Sequence, residues 1–197
     1  MKSAKTLTLA LTLILGTAAA GQKLEIETNK DEKADFSKLK TYAWLPPAPV
    51  VKNTTDALSN PNLSQEVLGP HIVEAVDRQL ARRGLTKVEN KENADALVAY
   101  FAALTVGFSR TYLGEYYGYV TGWGSPIPPG LAPTTSATIY EQGAVVVDVV
   151  DRAANRGIWR GVARTRVHQD TRLAKRIERI NEAAEKMFQK FPVRAQK

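Results

Sequence analysis

The sequence predicts a single α+β domain in which a mainly antiparallel sheet carries two helices packed on one face. Two segments have the apolar spacing of amphipathic helices, and several others alternate apolar and polar residues as strands do. Many of the predicted strands follow one another without a helix between them, which favours antiparallel pairing. The 197 residues are enough for one domain with a sizeable hydrophobic core.

The strands are predicted from short runs bounded by turn-forming residues. They cover residues 23–28, 41–45, 85–88, 94–106, 138–140, 144–150 and 158–168. A loop rich in Pro, Asn and Ser is predicted over 46–62, with a hairpin turn at 141–143 and a second turn at 153–157. In the last strand Trp159 and Ala163 alternate with arginines. One face of that strand is therefore expected to be packed and the other to contact water.

The first helix is predicted over 64–83, where apolar residues share one face and Gly84 follows as the terminating residue. Pro70 is tolerated because it falls near the helix start. The second helix is predicted over about 171–189. Its apolar residues recur at spacings of three and four, which is typical of a helix packed on a sheet: Leu173, Ile177, Ile180, Ala184, Met187 and Phe191.

The N-terminus has the three parts of a secretory signal. Two lysines in the first five residues precede an apolar run over 7–15, and small residues follow at 18–20. The run is shorter than the roughly 20 apolar residues that span a membrane. We expect cleavage after Ala20, so that 1–20 is a signal peptide and 21–197 is a soluble periplasmic domain without a transmembrane span. The alternative is an uncleaved N-terminal anchor.

Six short motifs follow one another along residues 35–192. They are Asp35-Phe36-Ser37 with Thr41-Tyr42-Ala43-Trp44; Ala75-Val76-Asp77 with Leu80 and Gly84-Leu85; Ala94-Asp95 with Val98 and Tyr100; Tyr140 with Gly143 and Val145-Val146-Val147-Asp148; Trp159-Arg160-Gly161; and Phe191-Pro192. In this order they resemble the bacterial domain of unknown function 4136 family of exported, often lipid-anchored envelope proteins. The resemblance implies an α+β envelope domain and brings no reaction, cofactor or catalytic residue. This sequence departs from the family in having no Cys for a lipid anchor.

The sequence shows no pattern typical of a catalytic, metal or cofactor site. It contains no Cys, and its two histidines, His71 and His168, lie far apart. Neither a nucleophile elbow nor a phosphate-binding loop occurs. Asp148 interrupts a run of valines, and a structural hydrogen bond or a guarded sheet edge is the expected reason. We therefore predict no enzymatic activity, no cofactor and no metal.

Residues 107–137 are predicted to form a long loop rich in Gly, Pro and Tyr. Loops of this length are usually functional or disordered. Tyr116, Tyr117, Tyr119 and Trp123 offer amphipathic contact area that suits a protein surface or a sugar ring. The alternative is a loop or extended hairpin whose aromatic side chains pack back on the sheet.

Positive charge is concentrated at the C-terminal end of the chain. Residues 151–197 hold 13 Lys and Arg against 5 Asp and Glu, a net charge of +8, whereas the remaining residues hold 14 against 15, a net charge of −1. Such asymmetry predicts attraction to an anionic surface, with Arg160, Arg164 and Arg166 as candidate contacts. A basic face that only improves solubility is the alternative. No nucleic-acid-binding module is recognisable.

Together these features predict a non-enzymatic exported envelope protein. Its expected partner is another envelope protein or an anionic surface of lipid, lipopolysaccharide or peptidoglycan. One alternative is a carbohydrate- or peptidoglycan-binding module that uses the aromatic loop. A second alternative is a hydrolase whose site is assembled from residues distant in the sequence.

Overall fold

The structure is a computed structural model that describes residues 23–47, 65–104, 116–121, 142–166 and 171–192. The predicted signal peptide, the predicted strand over 138–140 and most of the loop over 107–137 lie outside these residues. The candidate contact Trp123 also lies outside them, as does His168.

Seven strands and two α-helices make up the described part of the chain. The strands are β1 (Glu25–Lys30), β2 (Thr41–Trp44), β3 (Thr86–Lys87), β4 (Ala96–Leu104), β5 (Val120–Thr121), β6 (Gln142–Asp151) and β7 (Arg156–Arg166). The helices are α1 (Gln65–Ala81) and α2 (Leu173–Phe188). The predicted turn at 141–143 is wrong at its last two residues. Gln142 and Gly143 belong to β6 because its ladder with β7 extends to Arg166.

Six strands form one sheet in the order β1-β7-β6-β4-β2-β3, and the short β5 pairs with the start of β7. The pairs β1–β7, β7–β6 and β6–β4 are antiparallel, whereas β4–β2, β2–β3 and β5–β7 are parallel. The α+β class is confirmed, but the prediction of a mainly antiparallel sheet is wrong because the sheet is mixed. The reason is that α1 connects β2 to β3 as a crossover, which brings the chain back in the same direction.

Both helices contribute to one core on the same face of the sheet, hereafter the helix face. Trp159 of β7 lies at its centre and is fully buried, with its ring centroid 4.8 Å from that of Phe188 and 5.1 Å from that of Phe191. A β-bulge shifts the register between β6 and β7 beside this tryptophan. As a result the consecutive residues Ile158 and Trp159 both join the core of the helix face.

Gly161 provides the space that the indole ring of Trp159 occupies. A Cβ atom at position 161 would lie 2.5 Å from Cη2 of Trp159 and 3.0 Å from Sδ of Met187. Only a residue without a side chain therefore fits beneath the indole while α2 stays packed on the sheet.

Two aspartates join the elements at the parallel end of the sheet. Asp77 of α1 accepts hydrogen bonds from the Tyr42 hydroxyl and the Trp44 indole at 2.8 Å each. Asp95 accepts the backbone N–H groups of Lys40 and Thr41 at 2.8 and 2.9 Å. These bonds bring the motifs around Tyr42, Asp77 and Asp95 together in space. Within the described ranges, no helix has the length and apolar character needed to cross a membrane.

Candidate functional site

The face of the sheet opposite the helices, hereafter the open face, is packed at its centre. Its buried cluster includes Phe101, Val146, Val162 and Tyr119. The prediction that one face of β7 contacts water is wrong at Arg160, which is only 4% exposed. Residues 116–121 lie against this face, because β5 pairs with the first residues of β7 and Tyr119 packs on the sheet.

Asp148 and Arg160 form a buried ion pair on the open face. They are direct cross-strand neighbours, and Arg160 donates from Nε and Nη2 to the two carboxylate oxygens at 2.6 Å each. The Tyr119 hydroxyl donates to the same carboxylate. Such bidentate, hydrogen-bonded geometry is what offsets the cost of burying two charges. Asp148 is thus the hydrogen-bonding residue that its position among valines indicated, and β6 is a central strand.

Burial and the carboxylate of Asp148 set the protonation of this cluster. Burial disfavours the charged form of Arg160, but the hydrogen bonds and the charge of Asp148 outweigh it, so the pKa of Arg160 is raised. Burial, reinforced by the charge of Asp148, also raises the pKa of Tyr119 well above its usual value. Tyr119 therefore stays a hydrogen-bond donor, and Arg160 stays charged, throughout the physiological pH range.

A pocket of about 370 Å³ lies beside this cluster, and we call it the aromatic pocket. Its described lining residues are Leu45, Pro46, Lys91, Leu97, Tyr116, Tyr117, Tyr119, Val150 and Asn155. The three tyrosines were predicted from the sequence as contact residues, but the other six residues were not. No periodic pattern connects those six, because they come from three separate strand ends and two turns.

The three tyrosine side chains of the pocket are held by different contacts. The rings of Tyr117 and Tyr119 are stacked at 6.4 Å with an interplanar angle of 8°. The Tyr117 hydroxyl donates to the carbonyl of Pro46, and that of Tyr119 is held by Asp148. Tyr116 meets the edge of Tyr117 at 4.8 Å and remains half exposed, at 50%. Two rings therefore build the wall of the pocket, and Tyr116 presents its ring to solvent.

The turn between β6 and β7 holds the tyrosine segment in place. Asn155 adopts a left-handed conformation in this turn, with φ of 46°, and its side-chain amide donates to the carbonyl of Gly118 at 3.0 Å. Val120 follows in β5 and is 63% exposed. Val120 and Tyr116 are the exposed large apolar side chains of this segment.

The arginines of β7 do not form one free basic surface. Arg156 donates to Asp31 at 2.5 Å, Arg160 pairs with Asp148, and Arg164 donates to Glu27 at 3.2 Å. Glu27 of β1 and Asp31 of the turn after β1 thus neutralise arginines that are far away in the sequence. Arg166 is exposed at the end of β7 away from the aromatic pocket. Neither it nor Arg164 is among the described residues that line the pocket.

The side chains of the described residues include no group of three or more His, Asp or Glu placed to hold a metal ion. The aromatic pocket is lined by no described carboxylate, histidine or hydroxyl other than those of the tyrosines.

Comparison with known proteins identifies the family. Residues 26–193 match the model of a domain of unknown function, DUF4136. A solved structure of a DUF4136 family protein from Bacteroides thetaiotaomicron aligns with a TM-score of 0.57 at 14% identity, over 88% of this chain and 98% of that one. A PDZ domain protein from Parabacteroides distasonis aligns with a TM-score of 0.51 at 15% identity, over 89% of this chain and 37% of that one. No curated protein sequence matches.

The mixed sheet, with two helices on one face and the aromatic pocket on the other, defines an α+β domain. The family match spans most of the chain, so this protein belongs to the domain of unknown function family DUF4136. The resemblance stated from the sequence motifs is thereby confirmed. At 14 and 15% identity, the two solved structures show the fold alone.

Proposed function

We propose that this protein is an exported, non-enzymatic component of the cell envelope that binds a partner protein through the aromatic pocket. The observation that carries the proposal is the pocket itself: aliphatic and tyrosine side chains make up most of its described lining, Tyr116 is half exposed, and Val120 of the same segment is exposed too. Concave, mostly apolar sites with few polar groups are where proteins bind ligands and partner side chains. Export rests on the signal-like N-terminus.

The chemistry of the pocket supports a protein partner over a carbohydrate. Sugar rings stack on aromatic side chains but also need hydrogen bonds for their many hydroxyls. Here the hydroxyls of Tyr117 and Tyr119 already donate to Pro46 and to Asp148. Apart from Lys91 and Asn155, the rest of the described lining is made of aliphatic side chains, which suit the apolar side chains of a protein.

The pairing of the arginines supports the pocket over an electrostatic contact with an anionic surface. Arg160 is buried, and Arg164 forms a salt bridge with Glu27. Of the three candidate arginines, Arg166 is exposed, whereas Arg164 is partly buried and Arg160 fully so. Attraction to lipid or lipopolysaccharide through β7 would therefore depend on few charges.

The state of Asp148 supports a binding role over a hydrolase. A general base needs a lone pair within reach of a substrate proton. Both oxygens of Asp148 accept bonds from Arg160, one also accepts the Tyr119 hydroxyl, and the carboxylate is fully buried. The carboxylate of Asp148 is thus engaged in holding the sheet and the tyrosine segment together.

Site-specific crosslinking in living cells tests the proposal. A photoreactive phenylalanine at position 116 should give one main protein adduct, whereas the same group at Lys190, beyond the end of α2, should not. The partner identified from the adduct should bind the purified protein directly. Tyr116→Ser and Val120→Ser should each weaken that binding at least about fivefold, as interface aromatic and apolar contacts do, without changing the unfolding midpoint.

Two results would count against the proposal. Equal adduct yields at positions 116 and 190 would show that the partner does not bind specifically at the pocket. Binding to anionic vesicles or to soluble glycan that is unaffected by Tyr116→Ser would instead favour one of the other envelope ligands. Mass spectrometry of the N-terminus tests export separately, since a chain that still begins with Met1 contradicts cleavage after Ala20.

A further inference from the structure

We infer that the aromatic pocket recognises a carboxylate that lies next to an apolar side chain of a peptide, and that Lys91 selects this charge. The inference rests on the proposed function, because it specifies the part of the partner protein that enters the pocket. Lys91 is the one charged side chain among the described residues that line the pocket.

The electrostatics of the pocket are set by Lys91. No described carboxylate lines the pocket, and Lys91 makes no ion pair with another residue of the described ranges. The charges of Asp148 and Arg160, which lie behind Tyr119, cancel each other. Among the described lining residues, an anionic group entering the pocket therefore meets the positive charge of Lys91 and no carboxylate, which favours an anionic over a cationic group.

The apolar lining determines what must accompany the carboxylate. Leu45, Leu97 and Val150 offer aliphatic surface, and the tyrosine rings offer flat surface. At about 370 Å³ the pocket lies at the lower end of the range for small-ligand sites, which suits one apolar side chain and its neighbouring charge. A peptide C-terminus with an apolar last residue has this chemistry, and so does Asp or Glu beside an apolar residue.

The backbone around Lys91 is held in a defined position. Lys91 begins a short 3-10 turn, Lys91–Asn93, that is capped by the side chain of Asn90 on the N–H of Glu92 at 2.9 Å. Glu92 follows directly but is not among the described residues that line the pocket, and the carboxylate of Asp95 is bound to the start of β2. The backbone of Lys91 is therefore held at the pocket wall, so that ligand binding has to order only the lysine side chain.

Titrations of the ¹⁵N-labelled protein, followed by NMR, test the inference with three probes. N-acetyl-phenylalanine carries a terminal carboxylate, N-acetyl-phenylalaninamide carries no charge, and N-acetyl-glutamyl-phenylalaninamide carries a side-chain carboxylate. We expect the amides of Leu97, Gly118 and Val150 to shift. Binding by at least one carboxylate probe should be about two- to fivefold tighter than by the neutral amide, as for an exposed ion pair. The tighter carboxylate probe identifies the source of the charge.

Variants of Lys91 separate charge recognition from loss of the pocket. Lys91→Gln should make all three probes bind alike, and Lys91→Glu should make the neutral amide the tightest. Lys190→Gln removes an exposed lysine beyond α2 and should change nothing. Equal affinities for charged and neutral probes in the unmodified protein would overturn the inference but leave the crosslinking test of the proposed function untouched. Shifts confined to residues outside the pocket would overturn it as well.

Discussion

Asp148 and Arg160 face each other across β6 and β7 and bury a complete ion pair on the open face of the sheet. Both oxygens of the carboxylate accept from the guanidinium at 2.6 Å, and neither side chain exceeds 5% exposure. The Tyr119 hydroxyl adds a third donor from a segment that is distant along the chain. The pair therefore joins the centre of the sheet to the residues that form the aromatic pocket.

Removing one member of this pair should destabilise the protein strongly. Asp148→Ala leaves a buried guanidinium without its partner, and we expect a loss of about 3–5 kcal/mol in the free energy of unfolding. Urea denaturation followed by circular dichroism measures it. Arg164→Met is the matched control because the pair of Arg164 with Glu27 is partly exposed, and its loss should cost less than about 1 kcal/mol. Equal losses at the two sites would contradict a structural role for the buried pair.

The Tyr119 hydroxyl should contribute measurably to the stability of the pocket wall. Tyr119→Phe keeps the ring but removes a donor to a buried carboxylate, and we expect a cost of about 1.5–3 kcal/mol, as for hydrogen bonds to charged groups. Hydrogen exchange should also become faster at Gly118 and Val120, since the segment loses its bond to the sheet. Tyr116→Phe is the control, because its ring is half exposed, and it should leave both measurements nearly unchanged.

Local patterns in the sequence predicted most elements of the fold but not their pairing. Spacings of three and four located both helices, and alternation located most of the described strands to within a few residues. The mixed sheet was missed because parallel pairing depends on the path of α1 between β2 and β3, which no local period records. Gly161 and the bulge beside Trp159 likewise depend on packing between distant elements.

In the candidate site, too, local features were predicted from the sequence but contacts between distant residues were not. The tyrosines were identified by composition, and their packing against the sheet was one of the alternatives. Alternation along β7 could not show that residues 116–121 lie over Arg160, so this arginine was expected in water. The charge asymmetry of the chain could not show how the arginines of β7 are paired. It counts residues along the sequence, whereas Arg156 and Arg164 meet Asp31 and Glu27 in space.

Gly161 should tolerate no side chain while Trp159 is present. Gly161→Ala places a methyl group where the indole lies, 2.5 Å from Cη2, and we expect a loss of about 1–3 kcal/mol from overpacking. The same substitution in a Trp159→Phe background should cost less, because phenylalanine lacks the outer ring. A double-mutant cycle of thermal or urea unfolding measures the coupling. Additive losses would show that the glycine is required by its backbone and not by the indole.

Stability should fall in acid as two aspartates take up protons. The backbone N–H of Lys33, together with Arg156, lowers the pKa of Asp31 against the opposing effect of burial. Burial opposes ionisation of Asp95 as well, but the N–H groups of Lys40 and Thr41 outweigh it, so the pKa of Asp95 is also lowered. Both groups bind protons more readily in the unfolded chain. Their stabilisation is therefore present above the unfolded-state pKa of about 3.9 and is lost as pH falls through the folded-state values.

Unfolding measured between pH 2 and pH 6 tests this linkage. Asp31→Asn and Asp95→Asn should each lower stability near pH 6 and reduce the slope of stability against pH below about pH 4, because one proton-linked group is gone. Glu178→Gln removes an exposed carboxylate from α2 and serves as the control for a change of one charge. The two Asn variants should approach the unmodified protein in stability at the acidic end, where the native aspartates are protonated too. A slope that is unchanged in both variants would assign the acid sensitivity to other carboxylates.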